Sequence, residues 1–494
     1  MSKPRDERQK DLFRPALDQI IDMGHPLVRL AQEIDWSFLE QRFASVCEAG
    51  PGQPPLPARL IAGLFILKHT HSLSDEALCA RWLENPYYQY FCGEQAFRHE
   101  LAFERSSMSR WRGRLGEENL AALLQESLSV AHKTGALETK DLERVVADTT
   151  VQPKAIAHPT DARLMYRAIE KLVALAKREG VPLRQSYLRV GKRAAIMVGR
   201  YTHAHQFKRA RRMLRFLRTR LGRLIRDIGR KIDGDQALEA FFIPLLSLAS
   251  QVRHQDRHQR GPKIYALHAP EVECIGKGKA RTPYEFGCKV SVATPVTSPK
   301  GGQFVLHAKA LHGNPYDGHT LGAVIADLEK LTGIETRRIH VDKGYRGHNH
   351  PHKFRVWISG QVRRVTASIR REMKRRAAVE PVIGHLKAEH RMDRNHLAHA
   401  SDTVNAILAA AGYNFSLLLT WLGLLLFRLL IQRARTSSRC LKSDCHRRLQ
   451  YQPPHEPTPR QDGPRRCAPL TAPHPGPSPL PPRRASATAR LESP

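Results

Sequence analysis

The chain has 494 residues, with 80 Lys and Arg against 47 Asp and Glu, which gives a formal net charge of +33. Such an excess repels itself unless a polyanion neutralises it, and nucleic acid is the natural partner because each neutralised phosphate releases counterions. The length argues against a ribosomal protein and allows two or three domains, whereas a membrane-surface protein stays an alternative.

The eight cysteines are scattered along the chain without a CxxC pair. Together with an N-terminus that does not resemble a secretory signal, this favours reduced thiols in a cytosol. Cys440, Cys445 and His446 lie close together, but a zinc site there is not favoured because no second ligand pair accompanies them.

The first 140 residues are predicted to be helical. Apolar residues recur at helical spacing from Leu60 to Leu67, after Pro57. The segment Ser72–Glu76 predicts a turn with an N-cap, which opens a second helix, Glu76–Leu83. The two helices are either a helix-turn-helix or a helical hairpin inside a core, and the sequence leaves both open.

A second basic element follows at Ser106–Arg112, which predicts a capped helix start. Arg110 and Arg112 in it either contact phosphate or belong to a solvated face.

A short apolar segment, Val145–Asp148, predicts a buried strand that ends on Asp148. A carboxylate in such a place is usually a helix cap or a turn former, so Asp148 alone is a weak signal.

Residues 160–257 are predicted to form a helical insertion. Its segment from His203 to Lys231 is densely basic, with an apolar stripe at helical spacing, and predicts an amphipathic helix with a cationic face. Charge runs are usually solvated faces, but acids are nearly absent from this one. Basic membrane-surface helices look similar, so the segment does not decide between DNA and membrane.

From about residue 262 to 366 the apolar residues alternate and many are β-branched, as is typical of strands. Strands are predicted at Lys263–Leu267, Phe286–Pro295, Phe304–Leu311 and Arg338–Val341. A turn at Asn314–Gly318 and a helix at His319–Leu331 separate the last two. This order, followed by a helix that carries Glu380, fits an α/β sheet with carboxylates converging at its edge.

The loop that begins at Asp342 combines small and basic residues. Gly344 and Gly347 permit close backbone approach to a phosphate. We expect Lys343 and Arg346 to pair with phosphates and Tyr345 to stack on a base.

The third acid, Glu380, lies in a basic segment. Arg376 and Lys387 fall on the same helical face as Glu380, so that a metal-binding carboxylate is flanked by cations. The alternative is an ordinary salt-bridged surface helix. Pro381 either opens a new turn or kinks the helix.

Brought together, Asp148, Asp342 and Glu380 would suffice to hold two divalent ions against a DNA phosphate. Oxygen ligands of this kind suit Mg²⁺, or Mn²⁺. Without metal, their mutual repulsion would raise the pKa of at least one of them.

Near the C-terminus the apolar run Phe415–Ile431 predicts a buried core helix, since it contains Arg428 and is short for a membrane span. Residues 433–494 are rich in Pro and Arg and lack apolar periodicity, which predicts a disordered tail.

Five segments in this order resemble bacterial insertion-sequence transposases of the DDE type, in the insertion-sequence-five family. The resemblance covers roughly Leu12 to Leu430, and its segments are Ala147–Val151, Tyr284–Lys289, Asn314–Leu321, Asp342–Gly347 and Arg376–Lys387. In related families a Tyr precedes the Arg of the last motif by three residues, and here Met373 takes that position.

The resemblance implies an RNase H-like catalytic domain over residues 141–432 and a helical DNA-binding domain over residues 1–140. Asp148, Asp342 and Glu380 would be the catalytic acids and metal ligands. Lys343, Arg346, Arg376 and Lys387 would hold DNA phosphates. The insertion at residues 160–257 would shape the DNA channel.

The function so implied is metal-dependent strand cleavage and strand transfer at the terminal inverted repeats of an insertion sequence. The partners would be the element ends, target DNA and further copies of the chain, with no membrane, in the cytoplasm and at the nucleoid. The alternatives are a decayed transposase that only binds DNA and a nuclease that cleaves without joining.

Overall fold

A computed structural model describes residues 15–44, 56–256, 259, 261–276, 283–395 and 401–449, with side chains up to Phe427 in the last helix. The chain divides into two units, residues 1–431 and 432–494. The described part of the second unit is the helical stretch up to Leu449. The first unit is mixed α/β, which confirms the predicted class at that level.

Eight helices precede the first strand in the described residues. They are α1 (Leu17–Ile20), α2 (Pro26–Glu33), α3 (Trp36–Ala44), α4 (Ala58–Thr70), α5 (Asp75–Glu84), α6 (Pro86–Phe91), α7 (Ser107–Lys133) and α8 (Thr139–Leu142). The long helix α7 is interrupted at Gly116, whose φ of 68° is a left-handed value that glycine adopts without strain.

The helix pair α4 and α5 is a hairpin within the core. Every residue of α4 from Leu60 to Thr70 is buried. The exposed positions of α5 include Glu76 and Glu84 as well as Arg81, so this surface is not a basic one. A DNA-recognition helix needs an exposed face that fits a polyanionic groove, and neither helix offers one. The structure therefore favours the hairpin over the helix-turn-helix.

Arg112 does not have the role considered for it from the sequence. It is 7% exposed. Its guanidinium donates two hydrogen bonds to Asp75, from Nη1 to Oδ1 at 3.1 Å and from Nη2 to Oδ2 at 2.8 Å. Lys68, also buried, donates to the same carboxylate at 2.5 Å. Arg112 is thus neither a phosphate contact nor part of a solvated face, whereas Arg110 is exposed beside Glu104.

The described strands form one mixed sheet. They are β1 (Arg144–Pro153), β2 (Glu273–Gly276), β3 (Tyr284–Pro295), β4 (His307–Leu311), β5 (Arg338–Val341) and β6 (Val356–Ile358). The order is β2-β3-β1-β5-β6, and β4 also pairs with β3. On one side of β1, β3 runs antiparallel to it, and β2 and β4 run antiparallel to β3. On the other side, β5 and β6 run parallel to β1.

Two strand predictions were wrong. Lys263–Leu267 is not a strand, and the sheet instead takes Glu273–Gly276. The first strand does not end on Asp148 but continues to Pro153. It continues because β3 pairs with it over its whole second half, from Asp148 opposite Val292 to Pro153 opposite Gly287.

Four helices lie between β1 and β2 in the described residues. They are α9 (Asp161–Arg178), α10 (Leu188–His203), α11 (Phe207–Ile232) and α12 (Gln236–His254). They have a core of their own, to which α9 contributes Leu172, α11 contributes Leu221 and Leu224, and α12 contributes Phe242. Because the apolar face of α11 packs into the core of this bundle, the opposite face of the helix is exposed to solvent.

The solvent face of α11 is strongly cationic. Its exposed basic residues without an acidic partner in the described part of the chain are Lys208, Arg209, Arg211, Arg212, Arg215, Arg223, Arg226 and Arg230. A helix of 26 residues is about 39 Å long, so these charges form an extended stripe.

Four helices and three short 3₁₀ turns complete the described chain. The helices are α13 (Asp317–Thr332), α14 (Ala367–Arg375), α15 (Val379–Ala388) and α16 (Asp402–Leu449), and the turns are Lys343–Tyr345, Lys353–Arg355 and Arg376–Ala378. Pro381 lies in the first turn of α15 and opens a new helix, where its missing N–H has no partner to lose. The helix α16 extends past Arg433, and residues 450–494 of the predicted tail lie outside the described residues.

The first half of α16 is a core helix. Residues Val404–Phe415 are buried, and Asn414 inside this stretch donates to Ser127 and Val305 and accepts from the Val305 N–H. Within the described residues, Asp402–Phe427 is long and apolar enough to cross a membrane, but half of its most apolar window is buried in the protein.

Glu126 of α7 makes the stability of the fold depend on pH. It is 3% exposed, and burial raises its pKa to about 7. Because the folded state holds the proton more tightly, the free energy of unfolding falls between about pH 4.5 and pH 7 as the unfolded chain ionises first. We expect Glu126→Gln to remove this pH dependence, which amounts to about 3 kcal/mol in the free energy of unfolding. The variant should therefore become more stable relative to the wild type as pH rises.

Thermal or urea unfolding at pH 5 and pH 8 measures this difference. Gln keeps the oxygen that accepts the Asp35 N–H at 2.8 Å. The exposed Glu118, on the same helix, provides the control as Glu118→Gln. An equal gain for both variants at pH 8 would contradict the assignment to Glu126.

Candidate active site

Asp148 lies in the middle of β1, at the point where the strand changes partners. Its side chain is 17% exposed. One oxygen, Oδ1, accepts the Thr149 N–H at 2.8 Å. The parallel pairing with β5 ends two residues earlier, at Val146 opposite His340, so one side of the strand is open at Asp148.

Asp342 follows directly on β5. Extending the register of Val146 and His340 by two residues sets Asp342 beside Asp148. The Asp342 side chain caps the 3₁₀ turn Lys343–Tyr345, where Oδ1 accepts the Gly344 N–H at 2.8 Å. The sheet thus brings two of the three predicted acids to adjacent positions on neighbouring strands.

Glu380 is joined to this pair through Arg376. The guanidinium of Arg376 lies 3.3 Å from Oδ2 of Asp148 and 4.0 Å from Oε1 of Glu380. Glu380 is 69% exposed, whereas Arg376 is only 18% exposed. Arg376 is therefore a largely buried cation between a partly buried acid and an exposed one.

A fourth acid, Asp317, belongs to the same cluster, and sequence reasoning did not identify it. Its Oδ1 accepts hydrogen bonds from Thr149 Oγ1 at 3.0 Å and Lys289 Nζ at 3.1 Å. Lys289, 12% exposed, also donates to Pro315 O at 2.8 Å. Asp317 had been assigned to a turn, although its segment is one of those that carry the resemblance.

Gly344 lets the loop after β5 close over the acids. A Cβ at this residue would lie 3.0 Å from Oδ1 of Asp342 and 3.4 Å from Oδ2 of Asp317. A larger residue would therefore crowd the Asp342 carboxylate and come into contact with that of Asp317. Gly344, which was predicted to permit close approach of a phosphate to the backbone, therefore also leaves space for the acids.

The environment of Asp148 disfavours its charged form relative to an ordinary aspartate. Burial raises its pKa to about 6, and the charges of Asp342 and Asp317 act in the same direction. The Thr149 N–H and Arg376 oppose this shift without cancelling it. A cation placed among these acids would remove the repulsion.

Tyr345 is not available to stack on a base. It is 2% exposed, and burial, followed by the charges of Asp148, Asp317 and Asp342, raises the pKa of its hydroxyl well above the usual value. The side chain lies close to the three acids, and its hydroxyl stays neutral.

The predicted phosphate-binding residues are placed differently from one another. Lys343 and Arg346 are exposed on the loop after Asp342. The carbonyl of Arg346 accepts the Tyr316 hydroxyl at 2.6 Å, which ties this loop to the start of α13. Lys387 lies 3.9 Å from Glu285, and both are one-quarter exposed.

Comparison with known proteins supports one class for the chain. Residues 15–114 match the family described as a transposase domain (DUF772), and this match supports a bacterial insertion-sequence transposase. No solved structure matches the chain.

The chain is also similar to a curated protein from Rhizobium meliloti, the uncharacterized protein ORF8 in the nfe locus. The two are 49% identical over 199 residues, which is 40% of this chain and 96% of the relative. The chain belongs to the same family as that protein.

Proposed function

We propose that the chain is a DDE-type transposase of the insertion-sequence-five family with an RNase H-like catalytic domain. It would bind the terminal inverted repeats of its element, cleave the strands at their ends and join the freed 3′ ends to target DNA. The observation that carries the proposal is the pair Asp148 and Asp342 on adjacent strands, with Arg376 linking Asp148 to Glu380.

The donor set fits Mg²⁺ or Mn²⁺. All candidate ligands are carboxylate oxygens, which hard divalent cations prefer, and the mutual repulsion of Asp148, Asp342 and Asp317 would be relieved by bound positive charge. Asp148, Asp342 and Glu380 would hold the ions. When bound, such ions lower the pKa of water and stabilise the leaving oxygen of a phosphodiester.

The protein's own cations would position the DNA. Lys343 and Arg346 are exposed beside Asp342 and would contact the phosphates that flank the scissile bond. Arg376 would keep the Asp148 carboxylate oriented while Glu380 closes on the site. The cationic stripe of α11 would contact the phosphates of duplex DNA outside the acid cluster, and such contacts carry no sequence information.

Glu380→Gln tests the proposal in an assay with DNA that carries the flanking repeat ends and Mg²⁺. We expect cleavage and joining by the wild type and loss of both in the variant, with binding to the ends retained. Glu389→Gln is the matched control, because Glu389 follows the same helix and is 61% exposed.

Each other outcome points to a different function. Binding without cleavage by the wild type would favour a decayed element. Cutting without joining would favour a nuclease. Equal activity of Glu380→Gln and the wild type would remove Glu380 from the site.

Asp317 is expected to support the acids rather than to react. Asp317→Asn keeps the shape but removes the charge that Lys289 and Thr149 hold. Loss of such a supporting partner typically costs about 10–100-fold in metal affinity or activity. The Mg²⁺ concentration for half-maximal cleavage should rise, and an unchanged metal dependence with reduced stability would show a structural role only.

A further inference from the structure

A second group of possible metal ligands lies where α16 begins against the sheet. Cys288 is on β3, His312 directly follows β4, and Asp402 is the first residue of α16. One ligand atom from each lies within 4.8 Å of the other two. Cys288 is opposite Gln152 on β1, four residues beyond Asp148, or roughly 13 Å along the strand. The group is therefore separate from the acid cluster.

The distance between the thiol and the imidazole fits a zinc site. Sγ of Cys288 lies 3.5 Å from Nδ1 of His312. Zinc bonds of ordinary length at tetrahedral angles separate such a pair by about 3.6 Å. A mixed sulfur, nitrogen and oxygen set suits zinc and not Mg²⁺. Cys288 also contacts the carbonyls of Lys289 at 3.4 Å and Leu311 at 3.8 Å, contacts that a simple thiol would make as well.

The carboxylate of Asp402 is oriented by its neighbours. Its Oδ1 accepts from Lys154 Nζ at 2.7 Å and from Asn395 Nδ2 at 2.6 Å. Asp402 is 2% exposed and Cys288 is 4% exposed, so two of the three ligands are buried. Hydrogen bonds of this kind commonly hold metal ligands in place, and a carboxylate has further lone pairs for a metal.

Glu273 is a further, partly buried acid close to this group. Its Oε1 accepts the N–H of Gly313, the residue after His312, at 2.5 Å. Its Oε2 is buried and has no hydrogen-bond partner among the residues that the structure describes. A buried carboxylate oxygen without a partner is costly, and a cation bound by the neighbouring Cys288, on which the charge of Glu273 acts, would reduce that cost.

We infer that Cys288, His312 and Asp402 bind a zinc ion that fastens the start of α16 to the sheet, with water as the fourth ligand. Binding displaces the thiol proton of Cys288 to solvent, so no redox step is involved. The role is structural and independent of the function proposed for the acid cluster.

Metal analysis of the full-length wild-type chain tests this inference without DNA. We expect one zinc per chain after expression with zinc, and a thiolate-to-cobalt absorption band when the metal-free protein is titrated with Co²⁺. Since His312 is exposed, His312→Ala should fold and should weaken Co²⁺ binding at least 10-fold. Cys288→Ser should abolish the band.

Cys440 and Cys445 provide the matched control, because they are a second source of thiolate near a histidine in the sequence. The double variant Cys440→Ser/Cys445→Ser should keep the band. The inference is overturned by a wild type that takes up neither zinc nor cobalt, or by a band that depends on Cys440 and Cys445 instead of Cys288.

Discussion

Asp148→Asn is expected to abolish DNA cleavage and joining while the protein still binds its DNA ends. The variant would lose the negative charge that we propose as a metal ligand, at the point where β1, β5 and Arg376 meet. Metal ions contribute several kcal/mol of transition-state stabilisation, so we expect a rate loss of about 10³-fold or more. Single-turnover cleavage of an end-carrying duplex measures it.

The same variant should not be less stable than the wild type in the absence of divalent ions. Burial already disfavours the charged form of Asp148, and Asp342 and Asp317 add to this effect. Asn retains an oxygen for the Thr149 N–H. A Tm at pH 8 in EDTA that is equal to or above that of the wild type, together with lost cleavage, supports a catalytic role. A Tm several degrees lower would mean that Asp148 is a structural partner of Arg376.

Asp327→Asn is the appropriate control for that comparison. Asp327 pairs with Lys309 at 2.8 Å and is 40% exposed, so it is an ion-paired acid outside the cluster. It should change neither the cleavage rate nor its metal dependence. A similar loss in this variant would trace the effect to overall charge rather than to Asp148.

The sequence located those acids that follow a local pattern. The strand Arg338–Val341 has the predicted bounds, because an apolar run followed by a glycine turn is a short-range signal. Asp342 was therefore found at the strand end. Asp148 was found as well, but the length of its strand was not, because the continuation to Pro153 depends on pairing with β3, far along the chain.

Long-range pairing also explains what the sequence could not supply. Asp317 is part of the cluster because it contacts Thr149 and Lys289, which are 168 and 28 residues away in the sequence. Tyr345 was expected to stack on a base, which needs an exposed ring, yet its side chain is buried. Neither residue has a periodic pattern that would reveal its contacts.

The role of Arg112 could not be predicted for the same reason, since it depends on a partner far away in the sequence. A basic helix start looks like a phosphate contact until its partner is known, and Asp75 lies 37 residues away. The match of residues 15–114 to a transposase domain covers both residues but does not separate DNA contact from core support. Mutagenesis does separate them.

Asp75→Asn is expected to destabilise the N-terminal helices strongly. Asp75 is the shared acceptor of two cations, Lys68 at 6% and Arg112 at 7% exposure. Removing its charge leaves both buried without a counter-ion, and breaking a buried pair in this way costs about 3 kcal/mol or more. Urea unfolding, followed by circular dichroism, measures the loss.

Removing one of the stranded cations should restore part of that loss. Lys68→Met in the Asp75→Asn background takes away a buried charge that burial and Arg112 already disfavour, since they lower the pKa of Lys68 to about 8. A double-mutant cycle isolates this coupling. Arg110→Ala, two residues from Arg112 and 59% exposed, should leave stability unchanged. If Asp75→Asn instead weakened DNA binding at unchanged stability, this network would belong to the DNA interface and not to the core.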